Sequence, residues 1–124
     1  MGPLRAGVIA ATASGIPSTV HALVTGRNVL AATRAAGTLL PGSKPTIIRG
    51  AVAHAIISTG WTTVISTANK HWKLGITGGA AAGLAIAALD LGIAAKRYPA
   101  VRALPQLPQI LDHVAFGAIL GGLL

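Results

Sequence analysis

Five ionisable side chains interrupt the apolar stretches of this sequence, and they are its best candidates for chemistry. Imidazole titrates near neutral pH and a carboxylate can pair with it, so such groups can bind or relay a proton or another cation. The same groups can ligate a divalent metal, and a histidine pair can ligate haem. A hydrogen-bonded network that holds no ligand is the fourth interpretation. The five residues are His21, His54, Asp90, Asp112 and His113.

The spacing of these groups predicts that they form one layer. Three of them lie five or six residues from the nearest Lys or Arg of a basic cluster, which is about 8–9 Å along a helix. Asp112 and His113 follow Pro108 by four and five residues, which gives a comparable depth. We expect the layer to face inward, because its members share helix faces with small residues. We expect no bound cofactor, and a divalent metal or a haem ligated by His21 and His54 are the alternatives.

These groups lie inside long stretches that contain almost no other charge. Residues 6–26 and 50–69 contain no Lys, Arg, Asp or Glu, and residues 74–95 contain only Asp90. A helix of about 20 mostly apolar residues crosses a bilayer. We therefore predict an all-α, polytopic membrane helix bundle with four transmembrane helices in one domain, residues 1–124. The predicted spans cover about residues 6–26, 50–69, 74–95 and 106–124.

Composition excludes several other classes of protein. Hydrophobic residues make up 52% of the chain and charged residues only 10%, whereas soluble domains carry about 25% charged residues. A soluble bundle is the alternative, but residues 78–89 offer it no polar face. The absence of cysteine excludes disulfides and thiolate sites. No arrangement typical of a hydrolase is present, and we expect no enzyme activity.

Three segments between or within the spans have features of their own. Residues 27–40 place Arg27 and Arg34 on one face and end before Pro41, which favours a short helix in the membrane interface. Residues 97–108 contain three prolines and are expected to be extended and rigid. Pro17 lies inside the first span and should bend it, freeing a carbonyl that a nearby Ser or Thr could satisfy.

The basic residues are distributed unequally between the connections. The chain has ten Lys and Arg residues and two acidic residues, which gives a formal net charge of +8. Seven lie in the first and third connections, and three lie at the N-terminal end and in the second loop. The positive-inside rule then puts both termini outside an inner or plasma membrane. Because the charges lie at helix ends and aromatic residues are few, we expect contact with the lipid bilayer and no nucleic-acid partner.

Glycines at every fourth position predict close helix packing. The third span has Gly75, Gly79 and Gly83, and the last span has Gly117 and Gly121. Small residues at this spacing let helix backbones approach each other inside a membrane. The faces could pack within this chain, in a homo-oligomer, or against other membrane subunits.

Two functions fit these patterns. The first is a small integral membrane protein that binds or conducts a cation or proton through the His/Asp layer. The alternative is a non-catalytic small subunit of a larger membrane complex, in which the layer is structural or holds a cofactor.

Overall fold

Helices make up nearly all of this chain. The computed structural model describes every residue from Met1 to Leu124, and it contains no strand. The prediction of an all-α chain is therefore confirmed. A 3₁₀ turn at Ala94–Arg97 joins the fifth and sixth helices. The helices are α1 (Pro3–Ala13), α2 (Ile16–Thr25), α3 (Ala31–Gly37), α4 (Ile47–Trp72), α5 (Gly75–Gly92), α6 (Pro99–Arg102) and α7 (Gln106–Leu123).

Two segments are long and apolar enough to cross a membrane by length and composition. They are Pro3–Thr25, formed by α1 and α2, and Gly75–Arg97, formed by α5 and the turn after it. The helices α4 and α7 are not among them, because α4 carries many threonines and α7 begins with Gln, Asp and His residues. The chain thus has membrane-compatible helices, and the finer prediction of four spans is not confirmed by this criterion.

The long helices alternate in direction. Gly7 of α1 lies against Thr62 of α4, and Ala11 lies against His54, so these two helices are antiparallel. Helix α7 is central, since it contacts α1, α2, α4 and α5. The buried apolar cluster lies between these helices and consists of Ala6, Ala10, Ile65, Ile86, Phe116 and Leu120.

Helices α5 and α7 pack with their backbones in contact. A Cβ atom at Gly79 would collide with the carbonyl oxygen of Gly117, and one at Gly117 would collide with that of Gly79. Gly121 lies against the Gly75 carbonyl in the same way, and Gly83 lies against α7 one turn further along. Any side chain at these positions would force the helices apart. The two glycine stripes therefore face each other within one chain.

The helix of the first predicted span is interrupted near Pro17. Helix α1 ends at Ala13 and α2 begins at Ile16, with Pro17 in its first turn. Proline has no backbone N–H, so it cannot donate to the carbonyl four residues earlier. The break leaves backbone groups without their helical partners.

The first connection is only partly helical. Of the predicted segment 27–40, only the seven residues of α3 form a helix. This helix lies on the start of α4, where Gly50 faces the Thr33 carbonyl so closely that a Cβ would overlap it. Gly37 meets the carbonyls of Lys44 and Thr46 in the same manner. The packing fixes α3 against α4.

The prediction that residues 97–108 are extended is wrong. They contain α6 and the start of α7, with Pro99 and Pro108 in the first turns of these helices. Proline is tolerated there, because the first N–H groups of a helix have no intrahelical acceptor. The prolines of this connection therefore start helices instead of preventing them.

Candidate functional site

Asp90 and His113 form the one ion pair of this structure. The His113 Nε2 atom lies 3.1 Å from Asp90 Oδ2, and the side chains are 24% and 30% exposed respectively. Asp90 comes from the last turn of α5, and His113 lies on α7 beside the glycine contact, where its carbonyl faces Gly83. The close approach of the two helix backbones brings these side chains within reach of each other. Asp90 therefore pairs with His113 and not with Arg97, seven residues further along the chain.

The second ring nitrogen of His113 determines how many protons this pair holds. Its Nδ1 atom lies 2.7 Å from the carbonyl oxygen of Gln109. A carbonyl oxygen only accepts, so Nδ1 carries a hydrogen and donates it. The contact between Nε2 and Asp90 then needs one more proton, on the imidazole or on the carboxyl group, since two lone pairs would otherwise face each other. The geometry thus describes a site for one exchangeable proton.

Two other predicted site residues, His54 and Asp112, form hydrogen bonds at the break between α1 and α2. The Ala11 carbonyl receives no helical hydrogen bond from Gly15, and the His54 Nε2 atom lies 2.9 Å from it and donates to it. On the other side of the break, the Ser18 N–H donates to Asp112 Oδ1 at 2.8 Å. Side chains of α4 and α7 therefore replace the backbone partners that the break removes.

The sequence did not indicate these two partners. It suggested that a Ser or Thr near Pro17 would satisfy the freed carbonyl, but the Ser18 hydroxyl donates to the Gly15 carbonyl, which already accepts from the Thr19 N–H. His54 and Asp112 lie far from the break along the chain, at separations of 43 and 94 residues.

Removing the Asp112 carboxylate should destabilise the start of α2. We expect Asp112→Ala to lower the free energy of unfolding by about 1–2 kcal/mol, because the Ser18 N–H loses its acceptor. Asp112→Asn keeps an amide oxygen and should lose less than half of that. Unfolding in mixed micelles, followed by circular dichroism, measures both. Equal losses for the two variants would show that the hydrogen bond is not the stabilising feature.

His21 lies apart from these contacts. It lines a groove of about 400 Å³ between α2, α3 and the segment before α7. His54 is exposed on the surface of α4 despite its hydrogen bond, so the prediction that all five groups face inward is wrong for this residue. His71 is exposed at the end of α4, as expected for a solvated histidine.

The structure brings the predicted residues together in pairs and does not form one cluster of five. Asp90 meets His113, Asp112 meets Ser18, and His54 meets Ala11. No three His, Cys, Asp or Glu side chains are placed where they could hold a metal ion. Side chains at similar depth can lie on different faces of their helices, as the neighbours Asp112 and His113 do, so an equal depth in sequence did not produce convergence.

Comparisons with known proteins leave this site to be understood from its own geometry. No model of a protein family matches the chain, and no curated protein or solved structure is similar to it. The strongest chemical feature of the chain is the contact between Asp90 and His113, in which the Gln109 carbonyl fixes the ring of His113.

Proposed function

We propose that this chain is a four-span integral membrane protein that binds and transfers a proton at the Asp90–His113 pair. The observation that carries the proposal is the hydrogen-bond pattern of His113, whose Nδ1 hydrogen is committed to Gln109. The remaining contact with Asp90 holds one proton that either group can release. Ionisable groups inside a membrane are costly and usually serve a function.

Exposed apolar side chains support the membrane location. Only 24 of 124 residues are buried. Leu4, Val24 and Ile48 are 82%, 80% and 79% exposed, and they lie on three different helices. Apolar surface of this extent is unusual on a soluble monomer. Lipid acyl chains would cover it.

The threonines of α4 are compatible with a lipid-facing position. Thr59, Thr63 and Thr67 each donate a hydroxyl hydrogen bond to the carbonyl four residues earlier, at 2.7, 2.9 and 2.8 Å. A hydroxyl bonded in this way needs no partner outside its own helix. Helix α4 has 26 residues and is about 39 Å long. It is therefore long enough to span, although its hydropathy is low.

The polar residues of α7 also have partners inside the protein. The Gln106 amide donates to the carbonyl of Leu104 at 2.7 Å, and Asp112 and His113 are bonded to α2 and α5. These bonds reduce the cost of placing α7 in a membrane. With α1–α2, α4 and α5, it completes four alternating spans, so the first and third connections lie at one end. We place that basic end in the cytoplasm and both termini outside, by the positive-inside rule.

Proton flux into liposomes tests this proposal. The purified full chain is reconstituted with a pH-sensitive dye inside, and a pH gradient is applied. We expect His113→Gln to reduce the flux by at least about tenfold, because glutamine can bond to the Gln109 carbonyl but cannot titrate near neutral pH. Asp90→Asn should act in the same direction.

His71→Gln is the matched control for this experiment. It removes an imidazole from the exposed end of α4, far from Asp90 along the bundle. The control should keep the flux of the unmodified protein. Flux that is unchanged in His113→Gln, or equally reduced in His71→Gln, would contradict the proposal.

A non-catalytic subunit of a larger membrane complex is the second candidate function. It is favoured by the bonds of His54 and Asp112 to backbone groups, since these two residues then have structural roles. Under this proposal the exposed apolar faces would contact other subunits. The His113→Gln variant would then lower assembly with the partner, and the isolated chain would carry no proton flux.

A further inference from the structure

The groove that contains His21 lies at the basic end of the bundle. It has a volume of about 400 Å³ and lies where α2, α3 and the segment before α7 meet. Two arginines from the first connection line it, and both are exposed, so the groove opens to the surface. Of the five residues discussed above, only His21 lines it; Gln109, whose carbonyl bonds to His113, also belongs to its lining. It is thus a concave feature with a chemistry different from that of the Asp90–His113 contact.

The lining is cationic and rich in hydrogen-bond donors. It includes no Asp or Glu, so no side chain in the groove neutralises the two arginines. Neither arginine has a salt bridge, since the one ion pair of the chain is between Asp90 and His113. Arginine binds phosphate oxygens through a planar fork of N–H groups. The polar members of the lining are Ser18, His21, Arg27, Asn28, Arg34 and Gln109.

The walls of the groove are held in place by contacts elsewhere. Asn28 accepts a hydrogen bond from the Leu30 N–H at 2.8 Å, which fixes the turn before α3. Helix α3 is fixed on α4 by the Gly50 contact. The opposite wall is fixed by Gln106, whose amide nitrogen donates to the Leu104 carbonyl at 2.7 Å and lies 3.3 Å from the carbonyl oxygens of Val101 and Arg102. The two walls therefore do not depend on a ligand for their position.

The rest of the lining is apolar. Of 17 lining residues, eight are hydrophobic, so the groove suits a ligand with an anionic head and an apolar body. Leu23 and Leu107, on the two helices that border it, are 67% and 66% exposed. Acyl chains could lie along these side chains, whereas a free phosphate ion would leave them uncovered.

We propose that the groove between α2, α3 and α7 binds the phosphate headgroup of an anionic phospholipid through Arg27 and Arg34. The inference rests on the proposed membrane location, but not on proton transfer by Asp90 and His113. The guanidinium groups bind the phosphate, and Asn28 and Gln109 lie beside it for the glycerol or headgroup hydroxyls. The groove would thereby fix the depth of the basic end in the membrane.

Lipid titration in detergent tests this site. The full chain is titrated with phosphatidylglycerol or with phosphatidylcholine, and native mass spectrometry counts the bound lipids. We expect the double variant Arg27→Gln, Arg34→Gln to raise the apparent Kd for phosphatidylglycerol about thirtyfold, from the loss of two cations at the membrane surface. Arg34→Lys, which keeps the charge without the planar fork, should raise it less. Circular dichroism verifies that the variants stay folded.

The double variant Lys70→Gln, Lys73→Gln is the charge-matched control. It removes the same charge from the opposite end of the bundle and should leave the Kd unchanged. Equal weakening by the two double variants would mean diffuse attraction and would overturn the site. Displacement of the lipid by millimolar inorganic phosphate would overturn the choice of a lipid ligand.

The outcomes for the two proposals are distinguishable. His113→Gln should keep the affinity for phosphatidylglycerol, since His113 does not line the groove. Specific lipid binding without proton flux would support the lipid site in the groove and contradict the proposal of proton transfer. Failure of the unmodified chain to retain either lipid would overturn the groove and remove support for the membrane location.

Discussion

Replacing Gly117 with alanine is expected to lower the free energy of unfolding by about 3 kcal/mol, which is the upper range for overpacking. A Cβ at this position would collide with the carbonyl oxygen of Gly79, and the Cα and N atoms of Gly83 would be 2.9 and 2.8 Å away. All of these atoms belong to the backbone, so no side chain can rotate to make room. The helices α5 and α7 must separate, and Asp90 then moves away from His113. Unfolding in mixed micelles measures the loss of stability, and liposome flux measures the loss of the proton site.

Gly92→Ala is the control for this prediction. Gly92 ends α5, and a Cβ there would meet nothing within 4 Å. The free energy of unfolding of Gly92→Ala should differ from that of the unmodified protein by less than about 1 kcal/mol, since alanine is the better helix former and meets no neighbour there. The double variant Gly79→Ala, Gly117→Ala is a further check. Because the two glycines contact each other, its loss of unfolding free energy should be smaller than the sum of the losses in the two single variants. Additive losses would mean that the glycines do not share one contact.

Gly50→Ala has the second large expected effect, at the contact between α3 and α4. The added Cβ would overlap the Thr33 carbonyl oxygen, which again belongs to the backbone. Helix α3 must leave its position, and a helix of seven residues is not stable without tertiary contacts. We expect a local loss of about 3 kcal/mol. Hydrogen exchange of the α3 amides should become at least about a hundredfold faster.

Gly60→Ala is the matched control on the same helix. A Cβ at Gly60 would meet open space, so the amides of α3 should keep their protection. The Gly50→Ala variant should also bind phosphatidylglycerol weakly, because Arg34 moves with α3. Unchanged exchange in α3 would contradict the packing, whereas faster exchange with unchanged lipid binding would count against the groove.

The helices themselves could be predicted from the sequence to a large extent. Lys and Arg divide the chain into apolar windows, and a helix lies in each of them. Helix α4 extends three residues beyond its window at both ends, from Ile47 to Trp72. An apolar window can be recognised from a short stretch of sequence, because it depends only on the spacing of charged residues along the chain. The glycine stripes could be predicted for the same reason, because a period of four positions is visible without knowledge of the partner.

The details of the connections were less accessible. The prolines of residues 97–108 suggested an extended chain, and Pro99 instead begins α6. A proline is compatible with either conformation, because its φ angle suits both the first turn of a helix and extended structure. Contacts with neighbouring elements decide between them. The break at Pro17 shows the same ambiguity, since a proline inside a helix can bend it or end it.

From the sequence alone, an all-helical, apolar chain could be predicted, together with five candidate ionisable groups and two glycine stripes. Which atoms the ionisable groups meet depends on how the helices pack. Asp112 and His54 bond to backbone atoms that the break leaves free, while Asp90 and His113 bond to each other. The physical reason is that depth depends on the rise along a helix, whereas a hydrogen bond depends also on helix rotation and separation. The packing of Gly79 against Gly117 fixes both of these for α5 and α7.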